Sequence, residues 1–406
     1  MSVAHIRKQF PILDTRVYGK PLVYLDNAAS AQRPQAVVDT WTRLVKQQNA
    51  NIHRAVHALS AQATSAYENT RDYVQQFLHA ASREEIVFTS GATAAINLVA
   101  FSFGEAFVRE GDEIVVSVVE HHSNLVPWQM LCERKKAVLK VLDISKNGVL
   151  QPSALEKLIS EHTKIVAISH ISNVLGLVNP VQELVAVAHK KGIPVLVDGS
   201  QGVVHLPVDV QALDCDFYVF SGHKLYAATG TGVLYGKRKW LDAMPPYMGG
   251  GEMIDHVSFA GTTYAPLPEK FEAGTQNFNA VPTLVPALAF VQESRKDAAV
   301  AKEQAAILDY VYQQLTEDKR ITLYGQSREQ KIPLFSFAVK GAHHEDLALI
   351  LDKMGVALRS GQMCAEPLMD RMGVTGLLRA SFAPYNTLEE ARYFIQCLQK
   401  AIFMLV

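Results

Sequence analysis

Cysteine is scarce in this chain: four residues in 406, Cys132, Cys215, Cys364 and Cys397, with no C-x-x-C pair among them. That spacing excludes a disulfide framework and a thiolate metal site, so each thiol needs its own explanation. An excess of either charge is missing too. With 39 basic against 40 acidic side chains, nothing draws nucleic acid or an anionic membrane, and a small-molecule partner is expected. No apolar run approaches the roughly 18 to 20 residues that span a bilayer. The opening "MSVAHIRKQFPIL" lacks the apolar stretch of a signal peptide, so the expectation is a cytoplasmic protein. Metal motifs are absent as well. There is no H-E-x-x-H, and His53 with His57, or His343 with His344, read as helix caps or solvent-facing residues.

What the chain does have is apolar material, 49% of its residues, enough for two domains. Short β-rich runs, "EIVFT" at 85–89, "EIVVSVV" at 113–119, "KIVAISH" at 164–170, "IPVLVD" at 193–198 and "DFYVFS" at 216–221, alternate with amphipathic segments at 93–107, 124–136, 153–162 and 181–191. This rhythm predicts an α/β fold, a mostly parallel sheet covered by helices on both faces. From about 285 it gives way to a long helix, then "ITLY", "PLFSFAV", a helix over 344–354, "VALR", "LLRASFA" and a final helix over 387–403, the pattern of a smaller α+β domain. The Pro/Gly-rich stretch from Pro245 to Pro286 reads as connection and rim.

Ligands of open α/β sheets gather beyond the carboxyl ends of the strands, and the residues there are polar. "SGATAAIN" after the first run opens a helix whose N–H groups suit a phosphate. Glu120, His121 and His122 follow the second run, and Asp198 ends the fourth. Lys224 stands one residue after His223 and behind the apolar "DFYVF". Burial, and a second potential cation beside it, would disfavour its protonated form and free the amine as a nucleophile for a Schiff base. A carboxylate such as Asp198 on a pyridine nitrogen would complete the electron sink of pyridoxal phosphate.

Seven segments in order, "YLDNAASAQRP", "EHHSNLVPWQ", "SNVLG", "VDGSQG", "DFYVFSGHKLY", "FEAGTQN" and "RSGQMCAEPL", resemble the group II cysteine desulfurases of the SufS/CsdA type, which overlap with selenocysteine lyases within the class V aminotransferases. The resemblance covers nearly the whole chain. It implies the PLP-dependent aspartate-aminotransferase-like fold (fold type I): a large, mostly parallel seven-stranded sheet domain over 20–280, and a smaller α+β domain from 1–19 and 281–406 carrying a cysteine loop. It also implies conversion of L-cysteine, or L-selenocysteine, to alanine, with a persulfide on Cys364 handed to an acceptor protein of SufE/CsdE or SufU type. In that pattern Lys224 binds pyridoxal 5'-phosphate, Asp198 pairs with its ring nitrogen, His121 stacks on the ring and Gln201 meets the ring hydroxyl. Thr93, Ser221 and His223 hold the phosphate, joined by Thr275 from the second protomer of a homodimer. Asn173 and Arg379 bind the substrate carboxylate, a role that suits a guanidinium fork, and Arg359 shapes the same pocket.

Of the cysteines, Cys132, Cys215 and Cys397 lie in helical or strand patterns and read as small buried hydrophobes. Cys364 sits in a polar loop between Arg359 and Arg371, which would lower its pKa if they were close in space. Departures from the family pattern fall at Ser90, Ala92 and Ala94, where an Arg, a Thr and a Glu are usual, at Ala227-Ala228 in place of Gly-Pro, and at Gln362 and Met363, where relatives carry histidine. The alternatives are another class V PLP lyase and a non-catalytic scaffold that binds a sulfur carrier.

Overall fold

Every one of the five β-rich runs becomes a strand of one sheet in the computed structural model of the chain, which describes residues 3–406. With two further strands the sheet comprises β1 (Ile86–Thr89), β2 (Glu113–Ser117), β3 (Val138–Leu142), β4 (Thr163–Ser169), β5 (Val195–Asp198), β6 (Phe217–Ser221) and β7 (Gly232–Gly236), in the order β1-β7-β6-β5-β4-β2-β3. Five neighbours, β3 through β6, pair in parallel. β7 runs antiparallel to both β6 and β1, so β1 regains the direction of the others. Alternate side chains feed two cores, with Val166, Val197 and Phe220 on one face and Ile165, Leu196 and Val219 on the other. Burial of both faces is why these strands read as continuous apolar runs.

β3 and β7 escaped the sequence pattern for opposite reasons. β3 is an edge strand with Val138 and Val141 half exposed, so its apolar signal is diluted. β7, "GVLYG", is wholly buried but framed by glycines that read as turn. Gly232 is there because a Cβ would stand 2.4 Å from the Gly91 Cα, closer than two such atoms can approach. Helices α1 (Ala58–Leu78), α2 (Ala92–Phe107), α3 (Val126–Lys135) and α4 (Val181–His189) cover the sheet. α2 meets α3 at Gly104, where any Cβ would fall 2.2 Å from Leu131 Cδ1. His57 caps α1 by accepting from the Ser60 N–H. The helix expected over 153–162 stops at Leu158.

The long helix expected from 285 is two, α5 (Leu284–Lys296) and α6 (Ala298–Glu317), divided at Asp297, whose carboxylate accepts from the Ala299 N–H and starts the second. Beyond it β8 (Ile321–Tyr324), β9 (Leu334–Val339), β10 (Arg359–Gly361) and β11 (Leu377–Ser381) form an antiparallel sheet in the order β8-β9-β11-β10. It is packed by α6, α7 (His344–Lys353) and α9, the last (Leu388–Leu405) opened by a Thr387/Glu390 capping box; between β10 and β11 lies the short α8 (Glu366–Met372). The N-terminal segment joins both sheets: Phe10 and Leu13 pack in the core of the first, Val23 and Leu25 in that of the second. The Pro245–Pro286 stretch holds a hairpin, Ile254–Ser258 with Gly261–Tyr264, that the sequence pattern did not indicate; its tip residue Phe259 is fully exposed.

One buried ion pair ties the "FEAGTQN" segment to the first sheet. Arg71, 1% exposed, donates to both carboxylate oxygens of Glu272 at 2.7 and 3.0 Å and to the Ile86 carbonyl at 2.8 Å. Glu272 also accepts from Tyr67 Oη and the Phe88 N–H. Every lone pair and proton there has a use, the condition under which a buried pair is tolerated.

Candidate active site

Five strands running the same way, β1, β2, β4, β5 and β6, deliver their carboxyl ends to one edge of the sheet, and a cavity of about 560 Å³ opens there. Its lining includes Thr93, His121, Asn173, Asp198, Ser221, His223, Lys224, Arg359, Cys364 and Arg379. Ten of the twelve residues expected at the site therefore meet in a single chamber. Gln201 and Thr275 do not. Gln201 is buried beside the wall and donates to the Ala28 carbonyl at 2.9 Å, while its neighbour Ser200 takes the lining position. Thr275 is exposed and outside the cavity of its own chain.

Lys224 follows β6 on a single 3-10 turn. Burial lowers the pKa of its amine. The Asp198 carboxylate pulls it back up, the Arg379 guanidinium adds to the lowering, and Cys364 acts in the same direction as Asp198. The cation that assists is thus Arg379, not His223 as sequence adjacency implied. The influence runs the other way: His223 is itself held down at about 4 by burial and by the Lys224 charge. Burial, then the same charge, holds His121 at about 4. The Ser123 N–H donates to His121 Nδ1 at 3.0 Å, which leaves the ring proton of the neutral imidazole on Nε2. Asp198 Oδ1 accepts from the Ser200 N–H at 2.9 Å.

At the opposite wall the first turn of α2 meets β6. Ser221 Oγ accepts from the Ala92 N–H at 2.8 Å, and Thr93 Oγ1 lies 2.7 Å from Ser123 Oγ. The hydroxyls and the start of a 16-residue helix make a donor-rich corner suited to an anion. Ala92, a departure from the family pattern, uses only its backbone here. The same holds at Ala228, whose N–H donates to Thr283 Oγ1 at 3.1 Å, a bond that proline could not make.

Arg379, on β11, is 3% exposed. It donates to the Asn173 carbonyl at 2.9 Å and to Asp26 at 3.4 Å, while its Nε has no partner among the described residues. Burial lowers it to about 10. A buried guanidinium that lines a cavity fits a carboxylate ligand. Arg359 is ion-paired to Asp26 at 2.8 Å and Arg371 to Asp143 at 3.0 Å. The two arginines that flank Cys364 in sequence are thus each engaged by a carboxylate elsewhere.

What holds Cys364 is backbone geometry. Met363 and Cys364 both take left-handed conformations, φ 53° and 55°, which cost side-chain-bearing residues roughly 1 kcal/mol or more each. Three contacts enforce the bend. Asn173 Nδ2 donates to the Met363 carbonyl at 2.9 Å, the His122 N–H donates to the Cys364 carbonyl at 2.7 Å, and the Glu366 N–H donates to His122 Nε2 at 3.0 Å. Met363 buries its side chain in the core of the first sheet, an apolar anchor for the loop, and Cys364 stays exposed. Cys132, Cys215 and Cys397 are buried, as their patterns predicted.

Three residues of this site had no role in the sequence reading. His122 was noted only as part of a polar run, although its place beside His121 at a strand end was the signal. Asp26 sits inside a quoted motif without a job; here it balances two guanidiniums. Glu120, buried and raised to about 7 by that burial, accepts from Asn124 Nδ2 and the Ser169 N–H and bonds to Ser117 Oγ, bracing the turn that carries His121.

The donor set fits pyridoxal phosphate: a carboxylate, an imidazole, an anion corner and a buried amine around one chamber. Comparison with known proteins agrees. The family signature "Aminotransferase class-V" matches residues 23–394. A "Probable cysteine desulfurase" of Vibrio cholerae is 46% identical over 405 residues, spanning all of both chains. The cysteine desulfurase of Enterobacter sp. is 48% identical over 400 residues, 98% of each. The crystal structure of the cysteine desulfurase CsdA (S-sulfonic acid) from Escherichia coli superposes with a TM-score of 0.92 at 39% identity, covering both chains in full.

Proposed function

The chain belongs to the aminotransferase class-V family, and from that premise we propose that it is a pyridoxal-phosphate-dependent cysteine desulfurase whose chemistry runs between Lys224 and Cys364. The observation that carries the reading is the convergence of a lowered lysine amine, a buried guanidinium and an exposed thiol on one cavity.

When bound, pyridoxal phosphate withdraws electrons from the substrate's α-carbon and labilises its bonds. Lys224 would anchor it through Nζ, Asp198 would pair with its ring nitrogen and His121 would pack on its face, while Gln201, behind the wall, would have to turn from the Ala28 carbonyl to reach its hydroxyl. Thr93, Ser221 and His223 take the phosphate. Arg379, with Asn173 and Arg359 around it, would fix the carboxylate of L-cysteine. Lys224 Nζ would then move the proton at the α-carbon, a task that a less basic amine performs better, and burial lowers its basicity. Cys364 Sγ attacks the substrate sulfur as thiolate. An S–S bond forms as the C–S bond breaks, the electron pair stays with the carbon, and protonation there releases alanine. The enzyme persulfide passes to a protein acceptor of the SufE/CsdE or SufU class. The functional unit is a homodimer in which Thr275, exposed on its own chain, completes the partner's phosphate corner. No helix of the described residues is long and apolar enough to cross a membrane, in keeping with a cytoplasmic setting.

The test incubates the holoenzyme with L-cysteine and follows alanine and sulfide together in the presence of a thiol reductant. Equal release of both is expected, with Cys364→Ser losing about a hundredfold or more of both. Release of pyruvate in place of alanine, or full activity in Cys364→Ser, contradicts the reading.

A further inference from the structure

A second cavity is larger than the catalytic one. About 620 Å³ lies at the seam between the two sheets, behind the helix that follows Asp198. Its floor is Lys331, 5% exposed, whose ammonium donates to the Leu175 carbonyl at 2.7 Å and the Gly325 carbonyl at 2.9 Å. Arg295 and His205 line the same space, and Lys296 stands at its edge. No Asp or Glu is among the lining residues.

That absence separates this chamber from the rest of the interior. Buried Arg71 has Glu272, and buried Arg379 has Asp26. Arg295 has neither: one amino group donates to the Val203 carbonyl, its Nε is buried without a partner, and its face lies over Phe77 at 5.8 Å. Among the described residues Lys331 makes no ion pair either, only carbonyl contacts and an approach to the Phe335 ring at 5.5 Å. Interior cations are ordinarily paired because desolvation is costly. Burial lowers Lys331 to about 7, Arg295 to about 10 and His205 to about 4, each a measure of missing counter-charge.

We propose that this seam cavity is a binding site for a small organic carboxylate, its charged end between Arg295 and Lys331 and its apolar body against Phe77, Val208 and Ile332. With Lys331 lowered to about 7, Arg295 carries the full positive charge inside the pocket at neutral pH, which matches a single carboxylate and leaves a doubly charged phosphate under-balanced; the guanidinium and the remaining Lys331 proton supply the donors. The site is distinct from the catalytic one but shares its supports. Residues 202–205 continue from the Asp198 loop, and Leu175 lies two residues after Asn173.

The experiment is ligand-observed fluorine NMR on the holoenzyme with para-fluorobenzoate, with neutral para-fluorobenzamide and inorganic phosphate as controls. Saturable binding of the benzoate is expected, with the amide and phosphate at least tenfold weaker, since one charge-assisted hydrogen bond is a factor of about ten to a hundred. Arg295→Met should weaken the benzoate at least tenfold. Because that side chain also supports the Val203 carbonyl, Ala301→Trp serves as the second variant: Ala301 is exposed at the rim, and the indole fills the mouth without touching a cation. Benzoate binding that survives Ala301→Trp comes from the catalytic cavity and overturns the proposal, as does equal binding of acid and amide or no saturable binding at all.

Discussion

Lys224 and Lys331 are both lysines that burial has stripped of part of their basicity, and each stands in a cavity of similar size, about 560 and 620 Å³. Only one is placed for catalysis. Lys224 has a carboxylate, Asp198, and a thiol, Cys364, near enough to act on its charge; Lys331 spends its protons on two backbone carbonyls and meets no ionisable partner in its own chamber that could react. A depressed amine therefore marks a site, not an activity. Activity comes from five parallel strand ends that bring complementary groups to the first cavity, whereas the seam cavity gathers groups of one charge.

Replacing Lys224 by Ala should have the largest effect: alanine formation falls by roughly a thousandfold or more, the scale of losing a general acid and base together with the anchoring amine. A loss as large in Lys331→Met, measured in the same alanine assay, would erase the distinction between the two lysines. A smaller effect is expected at His122, which lines the cavity and acts as a positioning residue through its two contacts to the Cys364 loop. His122→Ala removes the acceptor for the Glu366 N–H, so kcat should fall about ten- to a hundredfold while the absorbance of bound coenzyme and the KM for cysteine stay near those of the parent. Lost coenzyme absorbance would assign His122 to the cofactor instead.

The smallest effect on turnover, under about twofold, is expected for Lys331→Met, whose signature lies in stability. The folded chain releases the Lys331 proton near pH 7, while the unfolded chain keeps it to about 10.5. Between those values the unfolded state binds more protons, so stability rises with pH through this window and falls as pH drops back toward 7. The contribution is on the order of 5 kcal/mol across the whole window. Urea unfolding at a series of pH values should show that Lys331→Met flattens the slope. An unchanged slope would mean that the ammonium is already balanced in the native protein.

Much of this arrangement was legible in the chain. Strand ends rich in polar residues pointed to the cavity edge, and the amine, carboxylate and imidazole met there as the motifs implied. Contacts between segments distant in sequence were not legible. Arg359 and Arg371 flank Cys364 along the chain, yet Asp26 and Asp143, each over two hundred residues away, engage them in space. Arg379, not the adjacent His223, adds to the lowering of Lys224. β7 was hidden by the glycines that its close approach to Gly91 demands, and β3 by its half-exposed edge. The break between α5 and α6 turned on one side-chain cap at Asp297, a single residue inside a helical pattern. The seam cavity left no motif at all, since Lys331, Arg295 and His205 come from three separate segments.

The most direct measurement is reduction of the holoenzyme with borohydride, followed by digestion and peptide mass spectrometry, with Lys224 and Lys331 read in the same digest. The account predicts a reduced pyridoxyl adduct on Lys224 and an unmodified Lys331. An unmodified Lys224 after saturating reconstitution, or an adduct carried by Lys331 in its place, would contradict it.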